Sequence, residues 1–237
     1  MTKLMTADSH VDWDQPTAYE LWYASSLGRA YGASIERVLK PWLAATAGKR
    51  VLDIGCGPGL GLDRLFPEDV AVWGIDCSFQ MARRACVRSQ ETRLPHVVMV
   101  GSVTRLPFRD RSFDAVLCVN CLEFVADRAA AFREIARILR PPGLVVIGVL
   151  DRHSIWEMTR RLRRPFSRHS YYRGRFFIEE ELRDHIESVG LTVEEMRTAV
   201  HFPPLSPGPF VGMYERIDAR AEDCRDGAVV LCPIRLG

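Results

Sequence analysis

Two acids and a cluster of glycines stand close together in the first third of the chain. The stretch VLDIGCGPGL, residues 51–60, places Asp53 just ahead of Gly55, Gly57 and Gly59. A second acid, Asp76, ends the next apolar run 23 residues later. Glycine loses much conformational freedom on ordering, so three of them behind an apolar strand mark backbone that bends sharply and lies close to a ligand. A carboxylate ahead of such a loop can meet an ammonium, directly or through water. One at the end of the following strand can accept both hydroxyls of a ribose.

Two phosphate-binding loops fit less well. The dinucleotide pattern G-x-G-x-x-G needs a third glycine where Leu60 or Leu62 stands, and a pyrophosphate has no use for Asp53. A Walker loop is excluded because no Gly-Lys-Ser/Thr follows. An ammonium, a ribose and no phosphate together describe S-adenosylmethionine. The competing structural reading is a tight strand-to-helix turn with no ligand.

The elements that must position these acids alternate regularly. Val51–Ile54, Val70–Ile75, His96–Val100, Phe113–Val119 and Leu144–Leu150 are apolar runs of strand length. Between them lie helical segments at Leu60–Phe66, from Ser78, and from Asp127, whose helix is stopped by Pro141-Pro142-Gly143. Ser78 is expected to cap a helix with Met81, Ala82, Ala85 and Cys86 inward. Runs apolar throughout suit strands covered on both faces, and repeated βα units imply an α/β fold with a doubly wound, mostly parallel sheet. Ligands of such sheets bind beyond the C-terminal strand ends, where strand order reverses.

Ahead of this core, Pro16 opens an aromatic helix with Tyr19, Leu21, Trp22 and Tyr23. A second helix carries Ile35, Val38 and Leu39 and is expected to end near Lys40, before Pro41. After the core, Glu179–Val189 reads as a helix stopped by Gly190. Leu191–Val200 and Ala228–Ile234 read as closing strands around the Pro/Gly loop HFPPLSPGPF. The expected organisation is one domain over 1–237. It has an N-terminal helical cover (1–48), a cofactor-binding core (49–150), a basic and aromatic insertion or lid (151–178), and a closing helix and strands (179–237).

The segments VLDIGCGPG, VWGIDCSFQMARRA, GSVTRLPFRDRSFDAVLCVNCLEFV and AFREIARILRPPGLVVIGVL, in this order across residues 49–150, resemble the successive motifs of class I S-adenosylmethionine-dependent methyltransferases. The closest resemblance is to the type 11 branch, which includes quinone-biosynthesis C-methyltransferases. The resemblance implies a Rossmann-like methyltransferase fold and methyl transfer to a small or medium-sized organic acceptor by in-line displacement in a water-excluded pocket. It implies that Asp53, Gly55, Cys56, Gly57 and Gly59 line the methionine end of S-adenosyl-L-methionine. It puts Asp76 on the ribose, with Cys77 and Met81 against the adenine. The family usually has Gly-Asp after the third strand, where this chain has Gly101-Ser102-Val103. Ser102, Val103 or a backbone group must therefore serve the adenine instead. Asn120, Cys121 and Glu123 fall on the edge facing the methyl group, with Asn120 counted among the cofactor-binding residues.

Displacement at a sulfonium methyl calls for alignment and water exclusion more than for an oxyanion hole, and for a base only if the acceptor must lose a proton. Candidates for the catalytic role are His153 after the fifth strand, Glu123, and Tyr23 as an aromatic wall beside Tyr19. Each has a structural alternative: a surface histidine, a carboxylate facing the next helix, and core packing. Residues 154–177 hold seven arginines and six Trp, Tyr or Phe residues. That mixture suits a lid for an acidic or lipid-like small-molecule substrate, contact with an anionic membrane, or a solvated basic helix packed by Trp156 and Leu162. Cys118 and Cys121 form a C-x-x-C near Cys56 and Cys77, a thiol set that would suit arsenite, but no metal site is expected. Non-catalytic cofactor binding, arsenite methylation and nicotinamide chemistry remain the alternatives.

Composition limits the rest. The chain of 237 residues is 47% hydrophobic and 26% charged with net charge +2, so no overall field argues for nucleic acid. Seven cysteines, an odd number, suit reduced thiols. No run of about 18 apolar residues reads as a membrane span, and no apolar leader follows Met1. The expected setting is the cytoplasm.

Overall fold

In the computed structural model, the structure describes residues 15–60, 62–91, 96–163, 170–205, 211–221 and 226–236. Five parallel strands form the centre: β1 (Arg50–Ile54), β2 (Ala71–Asp76), β3 (His96–Val100), β4 (Phe113–Val119) and β5 (Leu139–Leu150). They lie in the order β3-β2-β1-β4-β5. The sheet continues through β8 (Val229–Leu236), antiparallel to β5, and β6 (Leu191–Val193), while β7 (Arg197–Ala199) also pairs with β8. Strand order reverses between β1 and β4, which run side by side with Asp53 opposite Leu117.

Alternation along the strands sorts the core into two layers, because successive Cβ atoms point to opposite faces. Val51, Val72, Ala115, Leu117, Leu144 and Val146 pack on one side, with Leu39 and Leu43 of helix α2 (Ser26–Leu43). Leu52, Ile54, Ile75, Val116, Cys118, Val145 and Ile147 pack on the other, with Phe132 and Ile135 of α5 (Arg128–Ile138) and Leu182 and Ile186 of α7 (Glu179–Glu187). The sheet is thus covered on both faces, as the unbroken apolar runs require. Ser78 caps α4 (Phe79–Ser89) by accepting from Met81 N at 3.2 Å, and Asp127 caps α5 by accepting from Ala130 N at 2.9 Å.

Several elements differ from expectation, although the N-terminal cover is the two helices expected, α1 (Pro16–Ala24) and α2 (Ser26–Leu43), broken at extended Ser25, whose hydroxyl accepts from Gly28 N. A Cβ at Gly28 would stand 2.0 Å from the Trp22 carbonyl oxygen, so only glycine allows the two helices to meet this closely. α2 does not end at Lys40 but runs through Pro41 to Leu43. Proline there removes a single N–H near the helix end. Buried Leu43 and the Trp42 indole, which donates to Glu195 Oε1 at 2.9 Å, hold the last turn. The helix after the glycine loop is a single turn, α3 (Leu62–Leu65). Cys86, expected inward on α4, is exposed. β5 begins at Leu139 directly after α5, five residues earlier than expected. Leu191–Val200 is two short strands, β6 and β7. Helix α8 (Val211–Arg220) follows the Pro/Gly loop, part of which (206–210) lies outside the described residues.

Candidate active site

The C-terminal ends of β1, β2 and β4 carry the residues singled out by type and spacing. Gly55, Gly57 and Gly59 all have positive φ (72°, 53° and 74°), a backbone that L side chains rarely adopt. Gly55 also abuts the turn after β4: a Cβ there would meet the Cys121 Cβ and Sγ at 2.7 Å. The glycine loop therefore closes directly against the β4 edge.

Asp53 and Asp76 sit on adjacent strands but in different surroundings. Asp76 Oδ2 accepts from Gly57 N at 2.9 Å and Oδ1 from Ser78 N at 2.8 Å, so this carboxylate holds the glycine loop to the start of α4. Asp53 is buried, and no donor among the described residues reaches it. Burial, with the Asp76 charge adding, pushes its carboxyl up to about 7. A buried acid in this state calls for a cationic partner, which the ammonium of S-adenosylmethionine would supply. Both residues, with the open backbone between them, fit that cofactor.

The remaining predicted contacts are distributed around this pair. Cys77 is exposed at the end of β2, and Met81 is buried in the first turn of α4. Ser102 pairs its hydroxyl with Thr104 Oγ1 at 2.8 Å, and Val103 packs into the core with Ile75 and Leu106. Cys56 is buried, and burial, with Asp53 and Asp76 adding, raises its thiol well above the usual range. Cys118 is fully buried, and Cys121 is packed against the same core. Among the described residues no group of three or more His, Cys, Asp or Glu side chains could hold a metal ion.

Of the catalytic candidates, Glu123 and Tyr23 lie at the crevice edge, with Glu123 deeply buried. Glu123 Oε1 accepts from Leu150 N, while Oε2 is buried with no partner among the described residues. Burial pushes its carboxyl up to about 7, partly offset by the bond from Leu150 and the nearby Arg128. Tyr23 belongs to a ring cluster that sequence reading found only in part. Tyr19 and Tyr23 centroids are 4.9 Å apart, Trp22 lies 5.3 Å from Tyr31, and Tyr31 lies 5.3 Å from Trp156. Asn120 joins this cluster from the end of β4, donating Nδ2 to Tyr31 Oη at 2.8 Å. Tyr31 was missed because no short-range signal ties α2 to the β4 edge. His153 is exposed and gives its backbone N–H to Asp151 Oδ1.

The basic insertion is more committed than its composition suggests. α6 (Ile155–Arg163) buries Trp156, Glu157 and Arg160. Arg160 forks onto the Glu157 carboxylate and lies over the Phe176 ring, and Arg161 pairs with the same carboxylate at 2.8 Å. Arg175 pairs with Glu181, which also holds Arg128. Leu162, expected to pack the helix, is 71% exposed. Residues 164–169 lie outside the described residues. A second network missed from sequence joins α2, β7 and α8. Buried Asp218 accepts from Arg37 and from His201 Nδ1 at 2.8 Å, and His201 Nε2 meets Thr198 Oγ1 at 2.9 Å.

The fold and the glycine edge together define a Rossmann-like α/β core with its glycine loop at the strand-order switch. Residues 52–147 match the model of a methyltransferase domain. It is 33% identical over 187 residues to an uncharacterized protein of Mycobacterium tuberculosis, covering 79% of this chain and 62% of that one. The chain thus spans less than two thirds of the length of that relative. It is 29% identical to a ubiquinone biosynthesis O-methyltransferase of Rhodopseudomonas palustris, over 69% of this chain and 66% of that one. Its fold matches a Thermotoga maritima structure described as an S-adenosylmethionine-dependent methyltransferase, possible histamine N-methyltransferase. There the TM-score is 0.71 at 24% identity, over 96% of this chain and 99% of that one. No helix among the described residues is long and apolar enough to cross a membrane.

Proposed function

We propose that this protein transfers a methyl group from S-adenosylmethionine to a small organic acceptor held under the aromatic cover. The single observation that carries this reading is buried Asp53, a carboxyl without a donor, placed ahead of left-handed glycines. When bound, the cofactor supplies an electrophilic methyl: the S–CH3 bond breaks with its electron pair staying on sulfur, and an acceptor lone pair forms the new bond. Asp53 would hold the ammonium, Asp76 the ribose hydroxyls, and Cys77, Met81, Ser102 and Val103 the adenine side.

Buried Tyr31 and Trp156, with half-buried Tyr19 and Tyr23 beside them, would shield the acceptor from water. Fixed walls of this kind align the reacting atoms, which is the main contribution a protein can make to such a displacement. Glu123 is the carboxylate placed to take a proton where the acceptor must lose one. The methyltransferase-domain match over 52–147 and the likeness to the R. palustris O-methyltransferase support the reaction class.

Calorimetric titration with S-adenosylhomocysteine and with NADH tests the cofactor. Tight S-adenosylhomocysteine binding without response to NADH is expected; the reverse would overturn the reading. Transfer of a labelled methyl from S-adenosylmethionine into a small-molecule extract fraction then tests turnover.

A further inference from the structure

One polar atom at the crevice edge is buried without a partner. Asn120, just after β4, has φ 54°, a left-handed backbone that is costly for a non-glycine residue and persists where the surroundings fix it. Its Nδ2 donates to Tyr31 Oη at 2.8 Å. In this arrangement the amide turns its hydrogens toward Tyr31. Its Oδ1 is left buried with no hydrogen-bond partner among the described residues. A buried acceptor in that state costs free energy until a donor reaches it.

The walls around the amide are aromatic, and the charges they feel are negative. Asp76 acts on Tyr19, Glu36 on Tyr23 and Glu123 on Tyr31. Glu123 adds a second buried acceptor, Oε2, without a partner among the described residues. Arg160 of the insertion is held by Glu157 and stacked on Phe176. Among the described residues the charged side chains that act on these rings are carboxylates, which disfavour an anionic substrate.

We infer that Asn120 Oδ1 accepts a hydrogen bond from the methyl acceptor, and that this acceptor is a neutral or cationic aromatic carrying an N–H or O–H donor. A carboxylate or phosphate substrate is disfavoured by the same groups. The inference rests on the methyltransferase reading and narrows its substrate class. It makes Asn120 a residue of acceptor recognition, whereas the family resemblance assigns it to the cofactor side.

The test uses the full chain loaded with S-adenosylhomocysteine and ligand-observed NMR titration with p-cresol, p-toluidine, 4-methylanisole and p-toluate. p-Cresol and p-toluidine are expected to bind, 4-methylanisole about tenfold more weakly for want of a donor, and p-toluate not at all. Asn120→Gly suits the left-handed backbone and should fold. It should weaken p-cresol about tenfold while leaving S-adenosylhomocysteine affinity within about twofold. Asn120→Asp, which keeps an acceptor oxygen, should retain p-toluidine. Binding of p-toluate as tight as p-cresol would overturn the substrate class. Loss of S-adenosylhomocysteine affinity in Asn120→Gly with p-cresol unchanged would assign Oδ1 to the cofactor instead. Failure of the wild type to bind S-adenosylhomocysteine at all would remove the reading beneath the inference, and is seen before any acceptor is added.

Discussion

The β1–β2–β4 edge and the cover formed by α1, α2 and α6 meet at Asn120 and Tyr31, but they are built from different materials. The edge is mostly backbone: left-handed glycines, two acids and two peptide N–H groups that Asp76 holds in place. Its glycines and acids lie within 26 residues, from Asp53 to Ser78, and depend on β-strand register. The cover is side chain: rings and hydroxyls brought together from Tyr19, Tyr31, Asn120 and Trp156, far apart in sequence. A backbone site tolerates little change in residue type, because glycine has no substitute at positive φ. A side-chain site can be rebuilt residue by residue. The difference suits a shared cofactor on one side and an acceptor particular to this protein on the other.

Substitutions that act on one half and spare the other sharpen this contrast. The largest expected effect is in the cover. Trp156 is buried, donates to the Phe202 carbonyl and packs on Tyr31. Trp156→Ala should lower stability by about 3–5 kcal/mol in denaturant melts. Below its melting range, S-adenosylhomocysteine affinity should stay within about threefold. A loss of cofactor affinity equal to that of an edge variant would erase the distinction.

Asp53→Ala should do the opposite, weakening S-adenosylhomocysteine about a hundredfold in calorimetry without lowering the stability of the ligand-free protein at pH 8. Gly55→Ala comes next. Left-handed strain and the Cys121 overlap should cost about 2 kcal/mol in thermal melts. Adding Cys121→Gly should recover part of it, since both Cβ and Sγ of Cys121 stand in the way. Smallest is Arg161→Ala. The side chain is 61% exposed and its pairing with Glu157 is screened by solvent, so stability should move by less than about 0.5 kcal/mol. A large loss there would make the insertion more than a packed cover.

The two halves also differed in how far the sequence revealed them. The sheet and the edge acids were legible because strand burial writes unbroken apolar runs and the glycine spacing is local. Helix α2 passing Pro41 was not, since the anchor is Glu195, more than 150 positions away. Neither Tyr31 nor the Asp218 network could be read, because each depends on long-range pairing between helices with ordinary sequences. The arginines of the insertion misled for a related reason. Composition counts charges, whereas Glu157 and Glu181 decide which of them remain available. α8 was hidden behind proline and glycine signals that mark only the loop before it.

The central claim is that Asp53 waits for a cation. Its carboxyl is held up to about 7 in the folded protein. The stability this group contributes to the ligand-free protein is therefore present below the ordinary carboxylate range and lost as pH rises through about 7. Cofactor binding needs the ionised form, so it must release a proton below that point. The most direct measurement is calorimetric titration of wild type and Asp53→Asn with S-adenosylhomocysteine at pH 6, 7 and 8. Wild-type affinity should rise about tenfold from pH 6 to pH 8 with proton release at pH 6, and Asp53→Asn should bind weakly and without this pH dependence. A wild-type affinity that is independent of pH and equal to that of Asp53→Asn would contradict it.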